Sequence, residues 1–187
     1  MIEDGPIKML MHEHEIILKV VNALEHVADA MKRGRKVDAE LLRGAVQFMR
    51  EFADRFHHSK EEDLLFPALQ RKGVPEHGGP IGVMKNEHEL ARTLVASFEE
   101  TVEAYAEQGE RAVDALCAAI HNIAALYPDH IWKEDNVLYP MAVELFTSEE
   151  MNELLHQFED VEAEIGLAAH SDLVNFADRL ELESARG

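Results

Sequence analysis

Two eleven-residue segments of the chain repeat each other, and each carries a histidine followed four residues later by a glutamate. The first reads HHSKEEDLLFP from His57, and the second reads HIWKEDNVLYP from His130. In a helix, residues four apart lie on one face, with about 5–6 Å between their Cβ atoms. The side chains of His57 and Glu61 therefore lie on the same face of one helix, and those of His130 and Glu134 lie on the same face of another. An imidazole beside a carboxylate makes a compact half-site for iron and similar metals, so the sequence predicts two matching half-sites.

A second repeat lies upstream of each segment. The tripeptide Glu-His-Glu occurs around His14 and again around His88, 43 residues before His57 and 42 before His130. Four histidines and two glutamates are enough to hold a pair of metal ions, because a carboxylate can bridge two ions. Such a set leaves coordination positions for a solvent-derived bridge and a small exogenous ligand. A carboxylate-bridged di-iron centre of this kind suits dioxygen, peroxide or nitric oxide.

The elements that must position these residues are helices. Alanine, leucine, glutamate and methionine are frequent, which favours helix, and apolar residues recur at helical spacing nearly throughout. Clusters of glycine and proline mark the breaks. The predicted helices run from near Pro6 to Gly34, from Asp38 to about Arg71, from near Pro80 to Gln108, after Gly109 through Ile131, and from Thr147 past Val161.

Long helices, short connections and two matching helix pairs indicate an all-α protein built as an antiparallel four-helix bundle. We expect residues 1–146 to form the bundle and residues 147–187 to form a C-terminal helical extension packed on it or at a dimer interface. Thr147 and Glu150 predict a capping box at its start, and the helical pattern weakens after Gly166. Pro128 is expected to bend the fourth helix, and Trp132 to lie in the core.

Composition and charge restrict the class of partner. The formal net charge of −19 repels nucleic acids and anionic membranes, so neither is an expected partner. The longest apolar runs are far too short for a membrane span, and the N-terminus does not read as a secretory signal. Cys117 is the single cysteine, which favours a reducing compartment. We therefore expect a cytoplasmic protein.

Taken together, the motifs resemble those of the bacterial hemerythrin-like, or HHE cation-binding, domains. They occur in order as EHE at 13–15, HHSKEEDLLFP at 57–67, GPIGVMKNEHE at 79–89 and HIWKEDNVLYP at 130–140, and the resemblance spans about residues 6–146. It implies a four-helix bundle around a non-haem di-iron site. The implied terminal nitrogen ligands are His14, His57, His88 and His130, and the implied bridging carboxylates are Glu61 and Glu134.

The chain departs from the oxygen-carrying hemerythrins in its third helix. Those proteins have a His-x-x-x-His pair there, whereas Met84 and Arg92 stand four residues before and after His88. One nitrogen ligand is therefore missing, which argues against simple oxygen transport. In the fourth helix the carriers use a carboxylate five residues after the histidine, which makes Asp135 the second choice after Glu134.

Several neighbouring residues are left with two readings. His12 and His58 are expected to face solvent, with a supporting role at the site as the alternative. Glu62 and Asp135 either accept hydrogen bonds from the ligands or lie on solvated faces. The single Glu153-x-x-His156 pair is read as surface.

The sequence leaves three functions open. The main one is a protein that binds two iron ions and binds or reacts with dioxygen, peroxide or nitric oxide; manganese or zinc are the alternative metals. The second is an oxygen or iron sensor, or an oxygen store, without turnover. The third is a helical bundle without metal. Catalytic turnover, the physiological ligand and a homodimeric state are left open by the sequence.

Overall fold

The computed structural model describes residues 5–186. Within that range every regular element is a helix, as predicted. Four long helical rods contain α1 (Pro6–Lys32), α2 to α3 (Ala39–Phe48 to Phe66–Arg71), α4 (Pro80–Gln108) and α5 to α6 (Val113–Lys133 to Tyr139–Leu145). Two further helices, α7 (Ser148–Ile165) and α8 (Leu167–Ser184), follow the fourth rod.

The second and fourth rods widen where the repeated motifs lie. Three segments have π-helical turns: π1 (Met49–His58), π2 (Glu61–Leu65) and π3 (Glu134–Leu138). Such turns close their hydrogen bonds one residue further along than an α-helix and are frequent at functional sites. Each rod nevertheless continues without a break, and Pro128 is accommodated inside α5. The bend expected at Pro128 stays a prediction.

The rods form a closed bundle because each contacts two neighbours. The first rod lies against the second and the fourth, and the third rod lies against the same two. Short connections at 33–38, 72–79 and 109–112 make successive rods antiparallel. The all-α four-helix bundle predicted from the sequence is therefore confirmed.

The C-terminal segment is anchored in the same core as the bundle. Its start carries the predicted capping box: the Glu150 backbone N–H donates to the Thr147 hydroxyl, and the Thr147 backbone N–H donates to the Glu150 carboxylate. Phe158 from α7 and Phe176 from α8 are both buried. The weaker pattern after Gly166 still forms an eighteen-residue helix. The division at residue 146 stays a prediction.

Two apolar layers leave a polar layer between them. One contains Phe52, Phe98 and Ile120, and the other contains Leu10, Leu65 and Leu138. On every rod the candidate ligands lie at the boundary between the two layers. Trp132, expected in the core, is instead 60 % exposed. That prediction was wrong because the inward arc at this turn of the rod is taken by His130, Ile131 and Glu134.

No helix among residues 5–186 has the length and apolar character needed to cross a membrane.

Candidate metal centre

The structure brings all six predicted ligands into the polar layer. Each of these residues is at most 3 % exposed. Their mutual distances are those of groups that face one point. The Nε2 atoms of His14 and His57 are 2.9 Å apart, and His14 Nε2 lies 3.1 Å from Glu134 Oε2. Glu61 Oε2 lies 3.7 Å from His57 Nε2 and 3.4 Å from His88 Nε2.

The two glutamates occupy the middle of the cluster. Glu134 reaches His14, and it also lies 3.6 Å from His88 Nε2 and 3.3 Å from His130 Nε2. Glu61 likewise lies between His57 on its own rod and His88 on the third rod. Each carboxylate is therefore placed between histidines from both repeats, as a bridging ligand would be.

Buried atoms without hydrogen bonds test whether these residues fit a metal. Among the described residues, six buried side-chain nitrogen or oxygen atoms lack a hydrogen-bond partner, and five of them belong to this cluster. They are Glu61 Oε2, His88 Nε2, His130 Nε2 and both carboxylate oxygens of Glu134. Burying such groups unpaired is costly, and a metal ion would satisfy them. The donor set therefore fits bound metal.

The outward nitrogen of every candidate ligand histidine contacts a carboxylate. His14 Nδ1 lies 2.8 Å from Asp135 Oδ1, and His88 Nδ1 lies 2.6 Å from Glu62 Oε1. His57 Nδ1 lies 2.8 Å from Glu13 Oε2. A hydrogen bond of this kind fixes the tautomer and ring orientation of a metal-binding histidine. It leaves Nε2 as the nitrogen that faces the cluster.

His130 completes the same scheme. Its Nδ1 atom lies 3.0 Å from Glu87 Oε2. Lys133 donates a hydrogen bond to Glu87, and Lys60 donates one to Glu13. Each lysine therefore holds the glutamate that orients the histidine three residues before it.

These contacts explain why the motifs repeat the glutamate before His14 and His88, the lysine, and the acid after Glu61 and Glu134. The glutamate before His14 or His88 orients the histidine of the next rod, and the lysine holds that glutamate. The acid after Glu61 or Glu134 orients the histidine of the third or first rod. Sequence reasoning gave no role to the residues Glu13, Glu87, Lys60 and Lys133. Their repetition at the same offset as the ligands was the signal that could have found them.

His58 was predicted to face solvent, and that prediction was wrong. The residue is 1 % exposed, and its ring stacks on that of His88 with 3.8 Å between centroids and 12° between planes. Its Nδ1 atom lies 3.2 Å from Asp54 Oδ1. The physical reason is that the second rod touches two neighbours, so its buried arc is wide enough for adjacent residues. His57 faces the first rod, and His58 faces the third.

The structure also locates the other residues that the sequence singled out. His12 is exposed, as expected, with a side chain 71 % accessible. Glu153 and His156 are exposed on α7. Met84 is a buried apolar residue. The guanidinium of Arg92 contacts Asp54 and Glu62, each at 2.8 Å. Neither Met84 nor Arg92 therefore replaces the nitrogen that the third helix lacks.

Tyr139 adds a hydroxyl to one side of the cluster. Its Oη donates to Glu61 Oε1 at 2.8 Å and lies 3.3 Å from His14 Nε2. Burial and the nearby Glu61 carboxylate raise the pKa of this phenol well above 10. The hydroxyl therefore keeps its proton at neutral pH. The matching residue of the other repeat is Phe66, which lies near His88 without a hydroxyl.

Without metal, protons on the histidines balance the negative charges of the buried carboxylates. Burial alone lowers the pKa of His14, but the nearby carboxylates of Asp135 and Glu134 outweigh it and raise the pKa to about 10. The pKa of His88 is likewise raised well above 6.5, since Glu134 and Glu61 outweigh burial. Burial raises the pKa of Glu134, yet His130 and His14 hold it well below its usual range. Metal binding must therefore displace protons from imidazoles.

Comparison with known proteins agrees with this geometry. The family model of the hemerythrin HHE cation binding domain matches residues 5–142. An uncharacterized protein of Mycobacterium tuberculosis, Rv1995, is 23 % identical over 153 residues, which are 82 % of this chain and 59 % of that protein. The chain thus spans less than two thirds of this relative. No solved structure matches the chain.

Two further relatives carry names that mention a function or a metal. The iron-sulfur cluster repair protein YtfE of Escherichia coli is 33 % identical over 89 residues, 46 % of this chain and 40 % of that protein. The zinc finger protein BRUTUS of Arabidopsis thaliana is 27 % identical over 163 residues, 83 % of this chain but 12 % of that protein. The family match covers most of the chain, and it contains all six of the converging side chains. The chain belongs to the hemerythrin HHE cation-binding domain family.

Proposed function

We propose that this protein binds two iron ions in the polar layer and that the pair binds or reacts with dioxygen, peroxide or nitric oxide. The observation that carries the proposal is a buried cluster in which five nitrogen and oxygen atoms lack hydrogen bonds, among four histidines whose outer nitrogens contact carboxylates. Four imidazoles and two shared carboxylates suit two ions of borderline character.

The donor chemistry supports iron over zinc. Structural zinc sites are mostly tetrahedral and rich in cysteine, whereas Cys117 lies in the apolar core away from the cluster. Carboxylates shift the preference of imidazole sites toward iron and manganese. The name of the Escherichia coli relative, an iron-sulfur cluster repair protein, is a second reason to favour iron.

The chain's own residues would hold the metal ions and control protons around them. The outer carboxylates Glu13, Glu62, Glu87 and Asp135 fix the imidazole rings before metal arrives, so little reorganisation is needed on binding. Tyr139 keeps a proton at its Oη and donates it in a hydrogen bond to Glu61 Oε1, which holds that carboxylate in position and leaves a proton beside the cluster. The two apolar layers limit access of water to the cluster. When bound, iron would supply the electrons that a small oxidant takes up.

The test is anaerobic purification followed by iron counting and optical spectroscopy. We expect two iron ions per chain and a spectral change on adding air, peroxide or nitric oxide. Protein that carries no iron after reconstitution with ferrous salt would refute the proposed metal. Iron that is bound but gives no response to any of the three oxidants would refute the proposed reactivity.

Binding without turnover, as a sensor or an oxygen store, is the alternative use of the same site. It is distinguished by following peroxide concentration over many equivalents. Consumption of far more peroxide than iron indicates turnover, and stoichiometric consumption indicates binding or a single oxidation. Glu153→Ala, on an exposed part of α7, is a control variant that should leave either result unchanged.

A further inference from the structure

His58 has the features that the four predicted histidine ligands share. It lies in the polar layer, it is buried, and its Nδ1 contacts a carboxylate, that of Asp54. The exposed histidines His12 and His156 also pair with an acid on their own helix, so the pairing by itself is not diagnostic. Burial at the cluster distinguishes His58 from them.

The ring of His58 lies close to two of the candidate ligands. One ligand atom each from His58, His88 and His130 lies within 4.8 Å of the other two. Since the Nδ1 atom of His58 faces Asp54, its Nε2 atom is the nitrogen available to a metal. All three side chains are buried, and the three come from three different rods.

A shared arginine links the surroundings of His58 to those of His88, one of the six candidate ligands. Arg92 contacts both Asp54, the acid that pairs with His58, and Glu62, the acid that pairs with His88. One arginine therefore keeps two neighbouring histidines oriented by charged acids.

The repeat shows that this extra histidine is confined to one side. The residue at the matching place after His130 is Ile131, a buried apolar side chain. The side formed by His14 and His57 therefore has two imidazoles, whereas the side formed by His88 and His130 has a third within reach. The nitrogen that the third helix lacks would thus come from the second.

We propose that His58 is a fifth nitrogen ligand, which binds the same metal ion as His88 and His130 and makes the two metal positions unequal. This inference rests on the proposed iron binding and adds a ligand to it. It predicts that one ion has three imidazole ligands and that the ion at His14 and His57 has two.

The experiment compares His58→Ala and His58→Phe with the wild-type protein, each reconstituted with ⁵⁷Fe and examined by Mössbauer spectroscopy and iron counting. We expect two quadrupole doublets of equal area in the wild type. Both variants should change or lose one doublet while keeping the other, and the affinity of the affected position should fall at least about tenfold. His12→Ala, at an exposed histidine of α1, should give the wild-type spectrum.

A rescue measurement separates ligation from packing. A cavity of about 160 Å³, lined by Asp54, His58, Arg92 and Tyr127 among others, gives free imidazole a way to the position vacated in His58→Ala. Imidazole should restore the wild-type doublet in that variant and have no effect on His58→Phe, whose ring fills the space without a nitrogen.

The results that would overturn the His58 inference differ from the result that would refute iron binding. A His58→Phe protein with the wild-type spectrum and full iron content would show that His58 only packs on His88, and would overturn the inference. Two unchanged doublets in His58→Ala would do the same. A wild-type protein that binds no iron refutes the proposed function itself, a result that neither variant is needed to reveal. Circular dichroism of each variant establishes that it is folded.

Discussion

The two repeats build their halves of the candidate metal centre to one plan but place them in different surroundings. On the His57 side, the Glu13 and Lys60 side chains that support the ligand are 4 % and 0 % exposed. On the His130 side, the corresponding Glu87 and Lys133 side chains are 19 % and 36 % exposed. The same ion pair is thus buried in one half and near the surface in the other.

The C-terminal segment explains this difference. Lys60 Nζ lies 3.6 Å from Glu162 Oε1 of α7 and 5.7 Å from the centroid of the Phe158 ring, also of α7. On its other side it lies 3.8 Å from the centroid of the Phe56 ring. The duplicated sequence thus fixes the contacts within the site, whereas a segment outside the repeat decides how far each half is shielded from water.

The largest effect is expected where both halves depend on the same residues. The double variant Glu61→Ala and Glu134→Ala removes the two carboxylates that lie between the halves, so iron content should fall from about two ions per chain to near zero. Iron counting after reconstitution measures this.

A selective loss from one half would contradict the assignment of both glutamates as bridges. If the protein bears no metal in any form, the same double variant should retain or gain stability, because two buried carboxylates have been removed. Circular dichroism and urea unfolding distinguish these cases.

The next largest effect is expected at the two ion pairs that support His57 and His130. Glu13→Gln leaves the buried ammonium of Lys60 without its main partner, which should lower the free energy of unfolding by about 3 kcal/mol. Glu87→Gln should cost about 1 kcal/mol or less, because Lys133 can reach solvent. Urea unfolding of the two metal-free variants gives both values. Equal losses would show that shielding by α7 does not matter energetically.

A smaller effect concerns pH and the half that contains His14. The pKa of His14 is raised from 6.5 to about 10 in the folded protein without metal, so the folded state binds more protons than the unfolded state between these values. The associated stability is fully present below pH 6.5 and is lost as pH rises toward 10.

We expect a loss of about 2 kcal/mol between pH 7 and 9 for the metal-free protein, within the limit of about 1.4 kcal/mol per pH unit for each proton. The iron-loaded protein should lose less, since metal has replaced the proton. Urea unfolding at several pH values makes the measurement, with His14→Gln as the control whose slope should be shallower. A metal-free protein of constant stability over this range would refute the expected protonation.

The smallest effect is expected from the one hydroxyl that the halves do not share. Tyr139→Phe removes the hydrogen bond to Glu61 and should cost about 1 kcal/mol, with both iron ions retained and the optical spectrum shifted. The reciprocal variant Phe66→Tyr places a hydroxyl near His88. If the two sides are unequal, the spectra of these variants should differ from each other as well as from the wild type.

Much of the fold and of the site could be predicted from the sequence, because both depend on short-range periodicity. The repeats gave the six converging side chains, and the breaks at Gly34, Gly73 and Gly109 lie between the rods. The capping box at Thr147 needed only local chemistry. These features follow from which residues lie on one face of a helix.

What could not be predicted depends on how the rods surround one another. His58 is adjacent to His57, and a single inward stripe would turn it toward solvent, but a rod with two neighbours has a wider buried arc. The shielding of Lys60 depends on Glu162, about a hundred residues further along the chain. Neither relation is encoded in a local pattern.

The orienting hydrogen bonds have a consequence for the cohesion of the bundle. The first and second rods form one helical hairpin, and the third and fourth rods form another. The contacts of Glu13 with His57 and of Glu87 with His130 each lie inside one hairpin. The contacts of Asp135 with His14 and of Glu62 with His88 cross from one hairpin to the other. Bound iron would tie both hairpins at their common seam and stabilise the folded chain by mass action. Iron-loaded protein would then resist proteolysis longer than the metal-free protein in the test tube.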